Sequence, residues 1–129
     1  METKEFTARI EEIVLSAVKS GQNVEEIVEQ EVEKVAKDFF EKGGKKQEEI
    51  QKEIVDVIKD VKEKTEANKE AITGVSKGLI KGAMNGAKLS VKTAKDMAED
   101  IAKECISIGL DLAEIPKLLF QNFKDTFLK

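Results

Sequence analysis

The side chains of this chain that could do chemistry are few, and they are spaced for helices. Carboxylates stand one turn apart at Glu25 and Glu29 and again at Asp56 and Asp60, close enough on a helix face to share a divalent cation. Solvated helix faces carry the same pairs, and the chain has no histidine and only one cysteine to complete a ligand set. No metal site and no cofactor is therefore expected. The absence of histidine also removes an imidazole base, a Ser-His or Cys-His nucleophile pair and a Glu-x-x-His di-iron arrangement. The expectation is a protein that is not an enzyme, with no catalytic residue. Cys105 lies on an apolar helical stripe, where it reads as a small buried hydrophobe, and one cysteine forms no intrachain disulfide. Gly43-Gly44-Lys45-Lys46 invites comparison with a phosphate loop, but no strand precedes it and the full glycine-lysine spacing is missing, so it reads as a helix stop.

Two patterns in the second half of the chain point to contact and not to catalysis. Small residues recur every fourth position at Gly74, Gly78, Gly82, Gly86, Ser90, Ala94, Ala98 and Ala102. Four helical glycines forgo about 4 kcal/mol relative to alanine, and close approach of another helix is the return that small residues at this spacing give. This ladder is read as a helix-packing seam. Between Glu70 and Asp96 the only ionisable residues are Lys77, Lys81, Lys88, Lys92 and Lys95, whereas the segments on either side carry an excess of acids. On one continuous helix the five lysines fall in a narrow arc opposite Ile72, Leu79, Ala83 and Ala94. A cationic face of that kind suits either solvent or an anionic lipid interface. With one arginine and few aromatics, nucleic-acid binding by these lysines would be electrostatic and without sequence specificity.

These groups must be positioned by helices. At 129 residues, with 37% charged, 40% hydrophobic and a single proline, the composition fits one domain of amphipathic helices. Thr3 reads as the cap of a first helix over 3–20, with Phe6, Ile10, Ile13, Val14, Ala17 and Val18 at helical spacing and Gly21 as its stop. Asn23 reads as the cap of a second over 24–42, with Val24, Ile27, Val28, Val32, Val35, Ala36, Phe39 and Phe40 on its apolar face. A third spans 46–64. From 69 to 115 the stripe runs unbroken in steps of four, four and three, which predicts one long Gly/Ala-rich helix. A rod from 46 to 115 would be about 105 Å long, against about 36 Å for the diameter of a compact domain of this size. A break is therefore expected within 64–75, at the polar interruptions Thr65 and Asn68; a straight rod is the alternative for a chain that self-associates or lies along a surface. Pro116 fits the first turn of a C-terminal amphipathic helix over 116–128, whose Phe120, Phe123 and Phe127 either close the bundle or anchor it to an apolar surface.

The stretch Asn23-Val24-Glu25-Glu26-Ile27-Val28 leading to Gly43-Gly44 and a further amphipathic helix resembles small uncharacterised bacterial all-α proteins built from glycine-punctuated helices. In size, low aromatic content and Ala/Lys/Glu helices the chain is also similar to phasins, the helical coats of polymer storage granules. Neither resemblance assigns a functional residue. The sequence thus leads to an all-α bundle of four to five helices. Its expected function is binding an apolar or anionic surface, membrane or storage granule, through Lys77, Lys81, Lys88, Lys92, Lys95, Phe120, Phe123 and Phe127. The alternative is a self-associating helical bundle, a homo-oligomer serving as a structural or protein-interaction module, and a non-specific nucleic-acid binder is a weaker third. A cytoplasmic location, with surface association as an option, is expected because Met1-Glu2-Thr3-Lys4-Glu5 opens no signal core and no run of about 18 apolar residues occurs.

Overall fold

The computed structural model describes residues 2–44, 46–65, 68–110, 112, 114–117 and 119, and shows an all-α chain. Its helices are α1 (Thr3–Ser20), α2 (Val24–Gly43), α3 (Gln47–Thr65), α4 (Lys69–Gly86) and α5 (Val91–Ser107). Each amphipathic stripe becomes a buried face. Phe6, Ile10, Val14 and Ala17 of α1 meet Val28, Val32, Ala36, Phe39 and Phe40 of α2 in one core with Ile50, Ile54, Val57, Ile58 and Val61 of α3. At one end of the bundle Phe6 stacks on Phe39 with ring centroids 4.1 Å apart, and Phe40 meets Phe6 edge-on at 5.8 Å. Because Phe6 opens α1 and the other two rings close α2, these helices run antiparallel.

The centre of the fold is α4, which packs against α1, α2, α3 and α5. Of its 18 residues, 13 are buried, including Thr73 and Ser76, so it has no solvated face wide enough for an ordinary surface helix. The Ser76 hydroxyl donates back to the Ile72 carbonyl at 2.9 Å, which satisfies it inside the core. The most extensive helix contact is α4 with α2. A Cβ added at Gly74 would sit 2.6 Å from the Glu25 carbonyl oxygen, and one at Gly78 would sit 2.7 Å from that of Glu29. At Gly82 it would lie 2.5 Å from the Ala36 Cβ and 2.8 Å from the Lys37 nitrogen, and at Gly86 it would overlap the Lys37 carbonyl oxygen. The contacts advance along both helices together, so α2 and α4 run parallel, and α3 is the return crossing that makes this possible.

The break expected within 64–75 falls between α3 and α4, but the long helix expected over 69–115 is not continuous: it holds α4 and α5 as separate helices. α3 ends at Thr65, and α4 starts after Asn68, whose side chain accepts from the Ala71 N–H at 2.9 Å. A second break follows Gly86. Lys88 takes a left-handed φ of 55° and the Leu89 N–H reaches back to the Met84 carbonyl at 3.0 Å, the closing bond of a Schellman-type turn. Ser90 then caps α5 by accepting from the Thr93 N–H at 3.1 Å. α5 in turn stops at Ser107, where Gly109 at φ 86° lets the Leu110 N–H return to the Cys105 carbonyl at 2.8 Å. The stripe misled about continuity because each short helix buries the same face on folding back: Ile72, Leu79, Met97, Ile101 and Cys105 are all in the core. Thr3, expected as a cap, begins α1 with Glu2 at the cap position, whereas Asn23 holds the cap position of α2 as expected, at a left-handed φ of 46° and without a side-chain cap bond. Of the helix expected over 116–128, residues 116, 117 and 119 are described, with 115–117 helical. Phe120, Phe123 and Phe127 lie outside the described residues.

The seam yields the first prediction. Gly82→Ala gains about 1 kcal/mol of helix propensity but must push apart two backbones, so the expected net effect is a destabilisation of about 1–3 kcal/mol, larger for Gly82→Leu. Thermal unfolding of both variants checks it, with Asn85→Ala, at an exposed position of the same helix, expected to keep or raise the melting temperature.

Candidate functional site

The polar groups singled out from the sequence converge on the edge of the glycine seam. Lys77 Nζ lies 3.3 Å from Glu25 Oε2 and 3.3 Å from Glu29 Oε1, and Lys81 Nζ donates to Glu29 Oε2. Both cross-helix hydrogen bonds join residues 52 positions apart, the uniform register of two parallel helices. The side chains of Lys77 and Glu29 are each 16% exposed, so this is a partly buried, charge-assisted pair and not a surface contact. Burial by itself pulls the Lys77 pKa down, but the Glu29 and Glu25 carboxylates outweigh it and hold the ammonium above the ordinary lysine value of 10.5. Glu25 and Glu29, read from the sequence as a solvated acid pair, are in fact the counter-ions of the lysine line. Their helical spacing matches that of Lys77 and Lys81, but nothing short of the α2–α4 pairing says that the two rows meet.

The five lysines therefore do not share one face. Lys77 and Lys81 flank the seam, whereas Lys88 sits in the turn after α4 and Lys92 and Lys95 on α5, all three exposed. The small-residue ladder divides at the same place. Gly74, Gly78, Gly82 and Gly86 line α2, Ser90 is a cap, and Ala94, Ala98 and Ala102 are buried on α5, which packs against α3 and α4. Asp56 lines a shallow cleft between α3 and α5 with Glu48, Lys52 and Glu104, where Gln51 donates to Glu104 at 3.3 Å. No group of three or more His, Cys, Asp or Glu able to hold a metal ion occurs among the described residues. Compared with known proteins, the chain matches no family, no curated protein and no solved structure.

Cys105 is fully buried, and burial, with the Glu104 carboxylate beside it in sequence, pushes its thiol up to about 11. At neutral pH it is a thiol in an apolar setting, poorly suited to nucleophilic or redox work. Gly44, the expected helix stop, is the left-handed cap of α2 at φ 58°. What the sequence did not separate is which apolar side chains of α1 and α2 stay exposed. Val18 and Ile27, expected on the buried faces, are 44% and 38% exposed, joined by Leu15 at 55%. An open groove of about 520 Å³ between the two helices is lined by Arg9, Glu12, Ile13, Ile27, Glu31 and Val35; Ile27 belongs to it, and Leu15 and Val18 do not line it.

Two measurements follow from these environments. Cys105 is expected to resist a disulfide reagent near pH 8 in the folded protein and to react at once in denaturant, a contrast read by absorbance. Lys77→Met should cost about 1–2 kcal/mol by removing hydrogen bonds to ionised groups. Because the folded pKa of Lys77 is raised, its contribution is present in full below about 10.5 and disappears as the pH climbs through the folded value. Denaturant titrations of wild type and Lys77→Met should therefore differ by a constant amount at neutral pH and converge at strongly alkaline pH.

Proposed function

We propose that this chain is a non-catalytic helical contact module that works by associating with itself, as a structural or protein-interaction element. The observation that carries this reading is the distribution of exposed apolar side chains. Leu15, Val18 and Ile27, three of the four large exposed hydrophobics among the described residues, belong to the α1–α2 hairpin. The features that suggested other work are engaged inside the fold: the glycines hold α2, and Lys77 and Lys81 are neutralised by glutamates. The two clefts described above, between α1 and α2 and between α3 and α5, are open to solvent, the form of a protein-contact surface more than of a substrate pocket.

A second reading, binding to an anionic membrane or granule surface, draws on the exposed Lys88, Lys92 and Lys95 at the α4–α5 corner. The likeness to phasins belongs with it, and weak nucleic-acid binding would use the same three lysines. No helix among the described residues is long and apolar enough to cross a membrane, so such binding would be peripheral. Solution mass as a function of concentration, measured beside vesicle flotation, decides between the two. Self-association predicts a mass that rises above 14.3 kDa and no flotation. Surface binding predicts a constant mass and flotation on anionic vesicles only, weakened by salt and by changing Lys88, Lys92 and Lys95 to Gln, at about 1 kcal/mol per lysine.

A further inference from the structure

α1, α3 and α5 start at residues 3, 47 and 91, two steps of 44, and α2 and α4 start 45 residues apart. The buried faces keep the same step. Moving along the chain 44 residues at a time carries Phe6 onto Ile50 and Ala94, and Ala17 onto Val61 and Cys105, all of them buried. On the second helix of each pair, Val28 lands on Ile72, Val32 on Ser76 and Phe40 on Met84, again all buried. Contacts between successive helices also repeat. Lys64 meets Glu11 across α1 and α3 at 3.6 Å, and Gln51 donates to Glu104 across α3 and α5 at 3.3 Å, each pair 53 residues apart. α3 therefore lies on α1 in the register in which α5 lies on α3. Equal steps in sequence, burial and contact belong to hairpins stacked in one direction, because each unit then meets its neighbour in the same way.

We propose that this chain is a tandem array of a 44-residue helical hairpin, with α1–α2 and α3–α4 as successive units and α5 opening the next, and that α1–α2 is the capping unit of the array. The cap is read from the face that α4 turns to α2. Gly74, Gly78, Gly82 and Gly86 stand there, and their counterparts one unit earlier are Gln30, Lys34, Asp38 and Lys42, all exposed. Lys34 pairs with Glu31 and Lys42 with Asp38 on α2 itself. Long charged side chains settled on their own helix hold off the backbone that bare Cα atoms admit, so neither a further hairpin nor a second copy stacks on α2 as α4 does. The groove between α1 and α2 has the same origin, since its Ile27, Glu31 and Val35 are the counterparts of Ala71, Val75 and Leu79, which are buried in α4. A terminal unit shows to solvent the face that an inner unit hides, and a polar version of that face keeps the end of an array soluble. The array holds whether or not copies associate; self-association, as proposed above, uses contacts other than unit stacking at this end.

Inserting a unit into the full-length chain tests both parts. A second copy of residues 47–90 is placed directly after Ser90, once unchanged and once with Lys69→Glu, Thr73→Glu and Ile80→Ala in the first copy. Those three changes give the second copy's glycines and lysines the counterparts of Glu25, Glu29 and Ala36 to pack on. A third variant receives a copy of residues 3–46 at the same place. At least one of the 47–90 insertions is expected to keep the wild-type helicity per residue by circular dichroism. It should unfold in urea in one transition whose slope is steeper by about a third, in proportion to the added chain. The 3–46 insertion, which turns Lys34 and Asp38 toward α4, is expected to lower the helicity per residue and to leave the slope unchanged, its extra unit staying unfolded. Failure of both 47–90 insertions, by lost helicity or an unchanged slope, overturns the array. A 3–46 insertion that folds with the same steeper slope overturns the capping role and leaves the repeat standing.

Discussion

The fold depends on how closely α2 and α4 approach. Two helices in parallel, with carbonyls of one against the Cα atoms of the other, can come this near only where Cβ is missing at every turn, and Gly74, Gly78, Gly82 and Gly86 supply that condition over the whole length of α4. Glycine weakens the helix it sits in, so the arrangement holds because α4 is surrounded. With contacts to α1, α2, α3 and α5, its backbone order comes from tertiary packing and not from propensity. Parallel pairing also dictates topology: α3 must return the chain along the bundle before α4 can start beside the beginning of α2.

The same approach governs the electrostatics. Once the backbones touch, the residues flanking the glycines on one side fall into line, and Glu25 and Glu29 face Lys77 and Lys81 at the constant separation that parallel helices impose. The cationic segment and the acidic second helix thus become one neutralised edge. Charge segregation along the sequence serves, at least in part, to pair two distant helices in register. Among the described residues this leaves Leu15, Val18 and Ile27 on α1 and α2 exposed, together with Lys88, Lys92 and Lys95 beyond α4.

Much of this was legible in the residues. The starts of α3 and α4, the left-handed stop at Gly44 and the buried faces of Phe6, Ile10 and Val14 or Val28, Val32 and Ala36 follow from spacing and turn chemistry. The break after Gly86 did not, because the turn uses Lys88 in a conformation usually given to glycine or asparagine. Ser90 three residues before Thr93 was the available cap signal, obscured by its place in a ladder of small residues. Gly109 was the stop of α5, hidden within an apolar stripe that resumes at Leu112. Apolar width was overstated at Val18 and Ile27, since a stripe shows which side of a helix is apolar and not how far its neighbours extend around it.

By itself the sequence determined the class of the fold, the helical faces that must be buried and the chemistry that histidine and a second cysteine would have been needed to perform. These are local properties, set by side-chain type and by periodicities of a few residues. The tertiary structure alone decided that Gly74, Gly78, Gly82 and Gly86 meet α2 within the chain, that two of the five lysines are paired across the seam and three lie away from it, and that Leu15, Val18 and Ile27 stay exposed. Each of these depends on which two distant helices touch and in which direction they run, and a helical period, identical for every partner and both directions, carries no information about either.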